Sequence, residues 1–482
     1  MSDIAAMRPQ ASVRESDAGK GSPAAAGRLA GAERKARARQ AMLQGPIVAT
    51  LVKLALPTIG VMVAQTAVGV AETYYVGFLG TDALAGVALV FPIFMLMTTM
   101  SNGGLGSGVA SAVARAVGAG RQQDADALLF HAVILAVIFG ALFSGGALLG
   151  GPALYHALGG RDASLEAALK YSNILFSGSI AVWIVNLLVS ALRGSGNVRV
   201  PAMITLVGAL IMIPLSPALI FGFGPIPRLG ISGAGAAFNI YYVGALFVLL
   251  RYMRQGHSGL SLSIVPLQGR LFADILKVGL PTAFNALQTN LSVILVTAAV
   301  GLFGTAALAG YGTAARLDYV LIPILFGLSS AVLAMVGINV GAGAAARARH
   351  IAVVSALVGI GITETIGLVA ALFPMLWLTL FTHDPEVLAP GVTYLTIVGP
   401  LYGLYGLGFV SSFAGQGAGR VLWPTIAVTV RLIVSAGGSW IAVATFGGSF
   451  TTLAIIVAVS FVAYGASAAM ILAGPWPSKK AA

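Results

Sequence analysis

Apolar residues run in long blocks from about position 48 almost to the end of the chain, broken by short segments where the charged residues gather. A membrane helix needs about 20 mostly apolar residues. Blocks of that length lie at 50–78, 83–110, 127–150, 168–191, 201–223, 233–253, 275–302, 308–338, 350–380, 388–413, 421–445 and 451–473. Each exceeds the roughly 9–11 residues that a barrel strand uses to cross, so the pattern predicts helices. The expectation is an all-α polytopic membrane protein with twelve transmembrane helices. Residues 1–45 break the pattern: they are rich in Ala, Gly and Ser, hold eight Lys/Arg, and lack the apolar core of a signal peptide. They read as a disordered basic tail.

Composition agrees with the pattern. The chain is 58% hydrophobic and 9% charged, with a mean hydropathy of +0.94. A soluble domain carries about 25% charged residues, so a soluble enzyme is excluded. The 62 glycines suit close approach of membrane helices. With no cysteine, thiolate metal sites and cysteine nucleophiles are excluded, and no redox compartment is indicated. The net charge of +12 could suggest nucleic acid. Its placement argues otherwise. An even number of spans puts both termini on one side, and that side holds the eight basic residues of the tail. It also holds thirteen more: Arg115, Arg121, Arg193, Arg199, Arg251, Arg254, Arg270, Lys277, Arg347, Arg349, Arg420, Lys479 and Lys480. The opposite loops and their edges hold Arg161, Lys170 and Arg228. By the positive-inside rule both termini are cytoplasmic, and the cations lie beside anionic lipid. The expected location is the plasma (inner) membrane, with membrane lipid and no nucleic acid as partner.

The chain repeats itself. Leu56-Pro57-Thr58 returns as Leu280-Pro281-Thr282, and Ala83-Leu84-Ala85-Gly86 as Ala307-Leu308-Ala309-Gly310, both 224 positions on. Val117-Gly118-Ala119-Gly120 returns as Val340-Gly341-Ala342-Gly343, and Gly194-Ser195-Gly196 is echoed by Gly415-Gln416-Gly417. The offset encloses six spans, so the halves enter the membrane in the same direction and form parallel repeats. The expected division is a tail at 1–45, an N-lobe at 46–254, a cytoplasmic connector at 255–270, a C-lobe at 271–474 and a C-terminal tail at 475–482. Two such lobes can rock around a central cavity, although a duplicated channel would share the pattern.

Several ordered motifs then resemble one family. These are Leu56-Pro57 with Glu72-Thr73 and Gly77-Phe78-Leu79-Gly80, Arg193-Gly194-Ser195-Gly196-Asn197 before the fifth span, and Phe381-Thr382-His383-Asp384-Pro385-Glu386-Val387 before the tenth. Over roughly residues 46–474 the chain resembles multidrug and toxic compound extrusion (MATE) transporters. It is closest to the prokaryotic branch named for DNA-damage-inducible relatives. The resemblance implies a V-shaped pair of lobes and export of organic, often cationic, compounds in exchange for protons or sodium. It also exposes departures. Where relatives carry Asp in the first span, this chain has Glu72; where they carry Asn and Asp in the fifth, it has Met212 and Ser216; near the usual Thr of the sixth stands Asn239. Glu72, Ser216 and Asn239 are the expected proton- or cation-coupling group, with one formal charge where relatives have two.

Each ionisable group inside a span is a functional candidate, because charge in lipid is costly. Glu72 leads. Desolvation disfavours the charged form of a carboxyl, and a group so placed can take a proton on one side and release it on the other. The competing reading is a Glu at the interface, in water. Pro214 and Pro217 bracket Ser216 and free backbone carbonyls, which suits either an unwound ion site or a plain kink. Arg316, Asp318, Glu364 and Arg431 form an expected C-lobe charge network, with Arg431 paired to Asp318 or Glu364, serving structure or a second coupling site. Gln65, Tyr75, Asn186, Met212, Gln288 and Asn290 are candidates for the substrate cavity, although helix-to-helix bonding suits the amides equally. The run Gly103–Gly108 follows no strand and is no nucleotide loop. No Walker sequence occurs, and the five His show no ligand spacing.

The expected function is therefore secondary active multidrug efflux, with alternating access driven by protons. Sodium coupling is the nearer alternative, and flipping of a lipid-linked sugar the further one. No enzyme activity, metal or cofactor is expected, and the partners are small organic molecules bound by a monomer.

Overall fold

A computed structural model describes residues 39–254 and 259–476. Twelve helical spans account for most of them. In the first half these are α1 (Ile47–Gly77), α2 (Thr81–Gly118), α3 (Gln122–Ala157), α4 (Asp162–Ser177 and Ser179–Gly194), α5 (Arg199–Phe221) and α6 (Ile231–Arg254). In the second they are α7 (Gly269–Gly301), α8 (Thr305–Gly341), α9 (Ala345–Leu372), α10 (Pro385–Gly417), α11 (Leu422–Thr445) and α12 (Phe450–Ala473). The twelve expected spans map one to one onto these helices, in two six-helix lobes.

The helices overrun the apolar blocks because polar residues at their ends still hydrogen-bond as helix. Thus α3 begins at Gln122 rather than 127, with Asp124 in its first turn against the helix dipole. The ninth block is cut short. Pro374 has no N–H to continue α9, so the chain breaks at Phe373 and resumes as a five-residue turn, Pro374–Leu378. Inside α4 the chain bends by 50° at Gly178. Other spans change pitch without stopping: α2 holds a π-helical stretch at Thr99–Leu105, and α11 holds two, at Ile433–Gly437 and Ile441–Thr445. Apolar periodicity carries no signal for these. In contrast, α5 runs as helix through Pro214 and Pro217. The unwound ion site that those prolines could have produced is not formed, because each proline removes one donor and the remaining bonds hold the helix.

All connections near the termini, such as those after α2, α4, α8 and α10, lie on one face, called here the terminal face. Toward that face glycines bring the lobes into backbone contact. A Cβ on Gly118 of α2 would strike the carbonyl oxygen of Ile338 in α8, and one on Gly341 would strike that of Arg115. Higher up, a Cβ on Gly104 would lie 2.8 Å from Cα of Ala283 in α7. The first turns of α1 join the C-lobe's own apolar core through Leu51, Leu54 and Ala55, with Ile59 against Gly327 of α8. Toward the far face the surfaces separate: Gly60, Gly69 and Gly77 of α1 have no neighbour within 4 Å of an added Cβ. Val63 and Val70 are exposed. The lobes are in backbone contact toward the terminal face, and this side of α1 is uncovered toward the opposite one, called here the open face.

One expectation changes. Residues 1–38 lie outside the described residues, but 39–45, assigned to the disordered tail, are ordered. Residues 39–44 are helical, and Met42 is 2% exposed within the C-lobe core. A methionine among basic residues gives no hint of burial until its pocket exists. The described part of the connector is docked on α3. Ser261 N–H donates to Asp126 at 2.8 Å, Gln268 N–H to His131 Nε2 at 2.9 Å, and Arg270 pairs with Asp124 at 2.6 Å.

Candidate functional site: a buried carboxyl between α1 and α5

Glu72 lies near the far end of α1, on the face turned toward α5. With Val68, Ala71 and Tyr75 of the same helix, and Met212, Ile213 and Ser216 of α5, it lines a narrow cleft inside the N-lobe. The spacing 68, 71, 72, 75 is one helical face, and 212, 213, 216 is another. Two parallel helices therefore enclose the carboxyl without any loop. Glu72 Oε1 and Ser216 Oγ are both shielded from solvent, and neither has a hydrogen-bond partner. Among the described residues no Lys or Arg forms an ion pair with Glu72. An ionised carboxylate in such a place needs donors or a cation. Beside the carboxyl the cleft is lined by the hydroxyl-bearing Ser216 and Tyr75 and otherwise by apolar side chains.

Asn239, grouped with this pair from the sequence, does not line the cleft. Its Nδ2 donates to the Ile174 carbonyl at 2.5 Å, beside the α4 bend, and its amide packs on Gly178. It serves the freed backbone at the bend rather than the Glu72 cleft. Of the six substrate-cavity candidates, Tyr75 and Met212 line the cleft. Asn186 bonds Ser101 on the π-helical stretch of α2 at 2.8 Å, and Gln288 bonds Thr429 of α11 at 2.8 Å, so both join helices. Asn290 donates to the Ala286 carbonyl of its own helix, and Gln65 is exposed outside the cleft.

The C-lobe charges do not pair as expected. Arg431 makes no ion pair with Asp318 or Glu364; its guanidinium lies over the rings of Tyr405, Phe461 and Tyr464 at 4.9, 5.4 and 5.7 Å. Asp318 instead accepts from Tyr402 Oη at 3.1 Å, and Glu364 from Gly403 N–H at 2.7 Å. Arg316 stands over Phe381 at 5.2 Å. Arg431 meets aromatic faces because Tyr405 of α10 and Phe461 and Tyr464 of α12 converge on it, which spacing along one chain segment could not reveal.

Arg193 was read as a loop cation. It is instead buried, bonded to Asn102 and Ser190, with its guanidinium 5.5 Å from the Phe326 ring of the other lobe. The π-helical stretch turns Asn102 toward it, a placement with no sequence signal.

Comparison with known proteins matches this architecture. The family model described as MatE matches residues 57–218 and 281–441, one block in each lobe. A FAD transporter of Shewanella oneidensis is 27% identical over 402 residues, covering 82% of this chain and 88% of its own. A probable multidrug resistance protein NorM of Thermotoga maritima is 26% identical over 385 residues, covering 79% of this chain and 82% of its own. The fold also matches an outward-facing conformation of a multidrug resistance MATE family transporter, with TM-score 0.80, 23% identity, and coverage of 90% and 97% of the two chains. With both halves matched by the same family and arranged as two six-helix lobes, the chain belongs to the MATE family of multi-pass membrane transporters.

Proposed function

We propose that this chain is a proton-coupled antiporter that exports amphipathic or cationic organic compounds by alternating access of its two lobes. One observation carries the reading: Glu72 Oε1, shielded and without a donor, shares the α1–α5 cleft with the unpartnered hydroxyl of Ser216. With the termini in the cytoplasm, as the basic residues favour, the open face looks outward. Glu72 then receives a proton from outside. Neutralised, it lets α1 and α5 pack more closely through Val68, Tyr75 and Met212. After the lobes rock, the proton leaves to the cytoplasm, and the recharged cleft favours loading of a cationic substrate for the return. Tyr75 supplies an aromatic face and Met212 an adaptable apolar one. The protein acts as a monomer in the plasma membrane.

Sodium drive fits less well, because a hard cation prefers several oxygen ligands and the side chains lining the cleft offer one carboxylate and the hydroxyls of Ser216 and Tyr75. Reconstituted vesicles separate the two. A pH gradient is expected to drive efflux of a dye panel, and Glu72→Gln to reduce that efflux to background while the protein still inserts. Undiminished efflux from the variant would remove Glu72 from the mechanism. Robust efflux on a sodium gradient at clamped pH would replace proton coupling with sodium coupling. FAD belongs in the panel, since one relative is named a FAD transporter.

A further inference from the structure

The segment just before α1 touches both lobes. Arg39 donates from Nη2 to the Gly118 carbonyl at 2.9 Å, at the C-terminal end of α2. That carbonyl has no helical partner, and a guanidinium suits the negative end of the helix. The Met42 side chain packs on Gly196, in the turn between α4 and α5, where a Cβ would strike it. These two holds are on the N-lobe. From the C-lobe, Asn339 at the end of α8 donates to the Met42 carbonyl at 3.0 Å, and Arg347 in the first turn of α9 donates to the Gly45 carbonyl at 2.5 Å. Asn339 is fully buried, and Met42 belongs to the C-lobe core.

We propose that residues 39–45 are a clasp that holds the terminal face closed by bridging Gly118 and Gly196 of one lobe to Asn339 and Arg347 of the other. The anchors lie on opposite sides of the seam where Gly118 meets Ile338. Opening this face pulls them apart. A six-residue helical turn is only about 9 Å long and cannot lengthen without unwinding. One side must therefore release. The C-lobe holds the segment by two hydrogen bonds, one of them from the fully buried Asn339, and the N-lobe, apart from the chain's own continuation into α1, by one exposed guanidinium and the Met42 contact on Gly196. The clasp stays with the C-lobe and leaves the N-lobe. Arg39 and Gly118 are thus the contact that sets how often the terminal face opens.

The chain has no cysteine, so two introduced ones are labelled without background. Exposed Gln123, in the first turn of α3, and exposed Ala346, in the first turn of α9, flank the seam. With spin labels there, pulsed dipolar spectroscopy on the full chain in lipid reads the fraction with a long interlobe distance. Arg39→Ala is expected to raise that fraction roughly three- to tenfold, the effect of losing one hydrogen bond from an exposed side chain. Arg39→Lys should restore most of it, and Asn339→Ala should act in the same direction. Gln40→Ala, on the exposed side of the turn, should leave the distances unchanged. Arg39 is exposed, so its variant tests the clasp even if Asn339→Ala fails to fold. Arg39→Ala distances identical to the parent, or an equal shift from Gln40→Ala, would overturn the clasp. Because the readout is a distance and not transport, it is independent of what Glu72 does.

Discussion

Ser216 is the residue whose role is hardest to see from its type. A serine in an apolar helix ordinarily bonds the carbonyl one turn back. Ser216 does not, and its hydroxyl remains available to the Glu72 carboxyl across the cleft. Ser216→Ala should therefore slow pH-driven efflux several-fold without abolishing it, because the carboxyl still carries the proton; initial rates in vesicles under a fixed gradient check this. An effect as complete as that of Glu72→Gln would make the hydroxyl an obligatory relay. Glu72 was legible in the sequence because an acid among apolar residues stands out. Its partnership with Ser216, 144 positions away, was guessed from the family pattern, and Asn239 was grouped with them by the same route. The coordinates put two of the three in one cleft. Arg431 shows the opposite limit: charge alone suggested an acid as partner, whereas three aromatic rings from α10 and α12 surround it.

At the scale of elements, the spans followed from apolar length, and their interruptions did not. The 50° bend in α4 occurs at a single glycine, and Asn239 of α6 takes the Ile174 carbonyl beside it. Asn239→Ala leaves that carbonyl without its side-chain donor inside the lobe, at a cost of about 1–3 kcal/mol. A lower apparent melting temperature of the detergent-solubilised protein is expected, with pH-driven efflux retained at low temperature. Complete loss of efflux at unchanged stability would instead return Asn239 to the coupling group. The π-helical stretch of α2 similarly aims Ser101 and Asn102 at α4. One extra residue per turn changes which side chains face a neighbour without altering composition or hydropathy.

Across the whole molecule, contact is concentrated at one end. The lobes touch through glycines that admit backbone to backbone, and they diverge beyond Gly60. Gly118→Val would insert a branched side chain against the Ile338 carbonyl. It should force the terminal face apart, lengthening the distance between labels at 123 and 346 and reducing outward-directed access. Unchanged distances would mean that the seam tolerates a side chain and that glycine there is not required. This prediction concerns the seam itself, whereas Arg39→Ala concerns the clasp laid across it.

Fold class, span number, duplication and the sidedness of charge were all determined by the sequence, because the bilayer demands long apolar helices and sorts cations to one side. Those constraints act locally, on one helix or loop at a time, and so leave a one-dimensional trace. Tertiary structure alone decided which side chains face each other across helices. It set Glu72 opposite Ser216, enclosed Arg431 in rings, buried Arg193 at the lobe interface and folded residues 39–45 over the seam. Those pairings depend on helix rotation, bends and lobe docking, which are set by packing summed over the entire molecule.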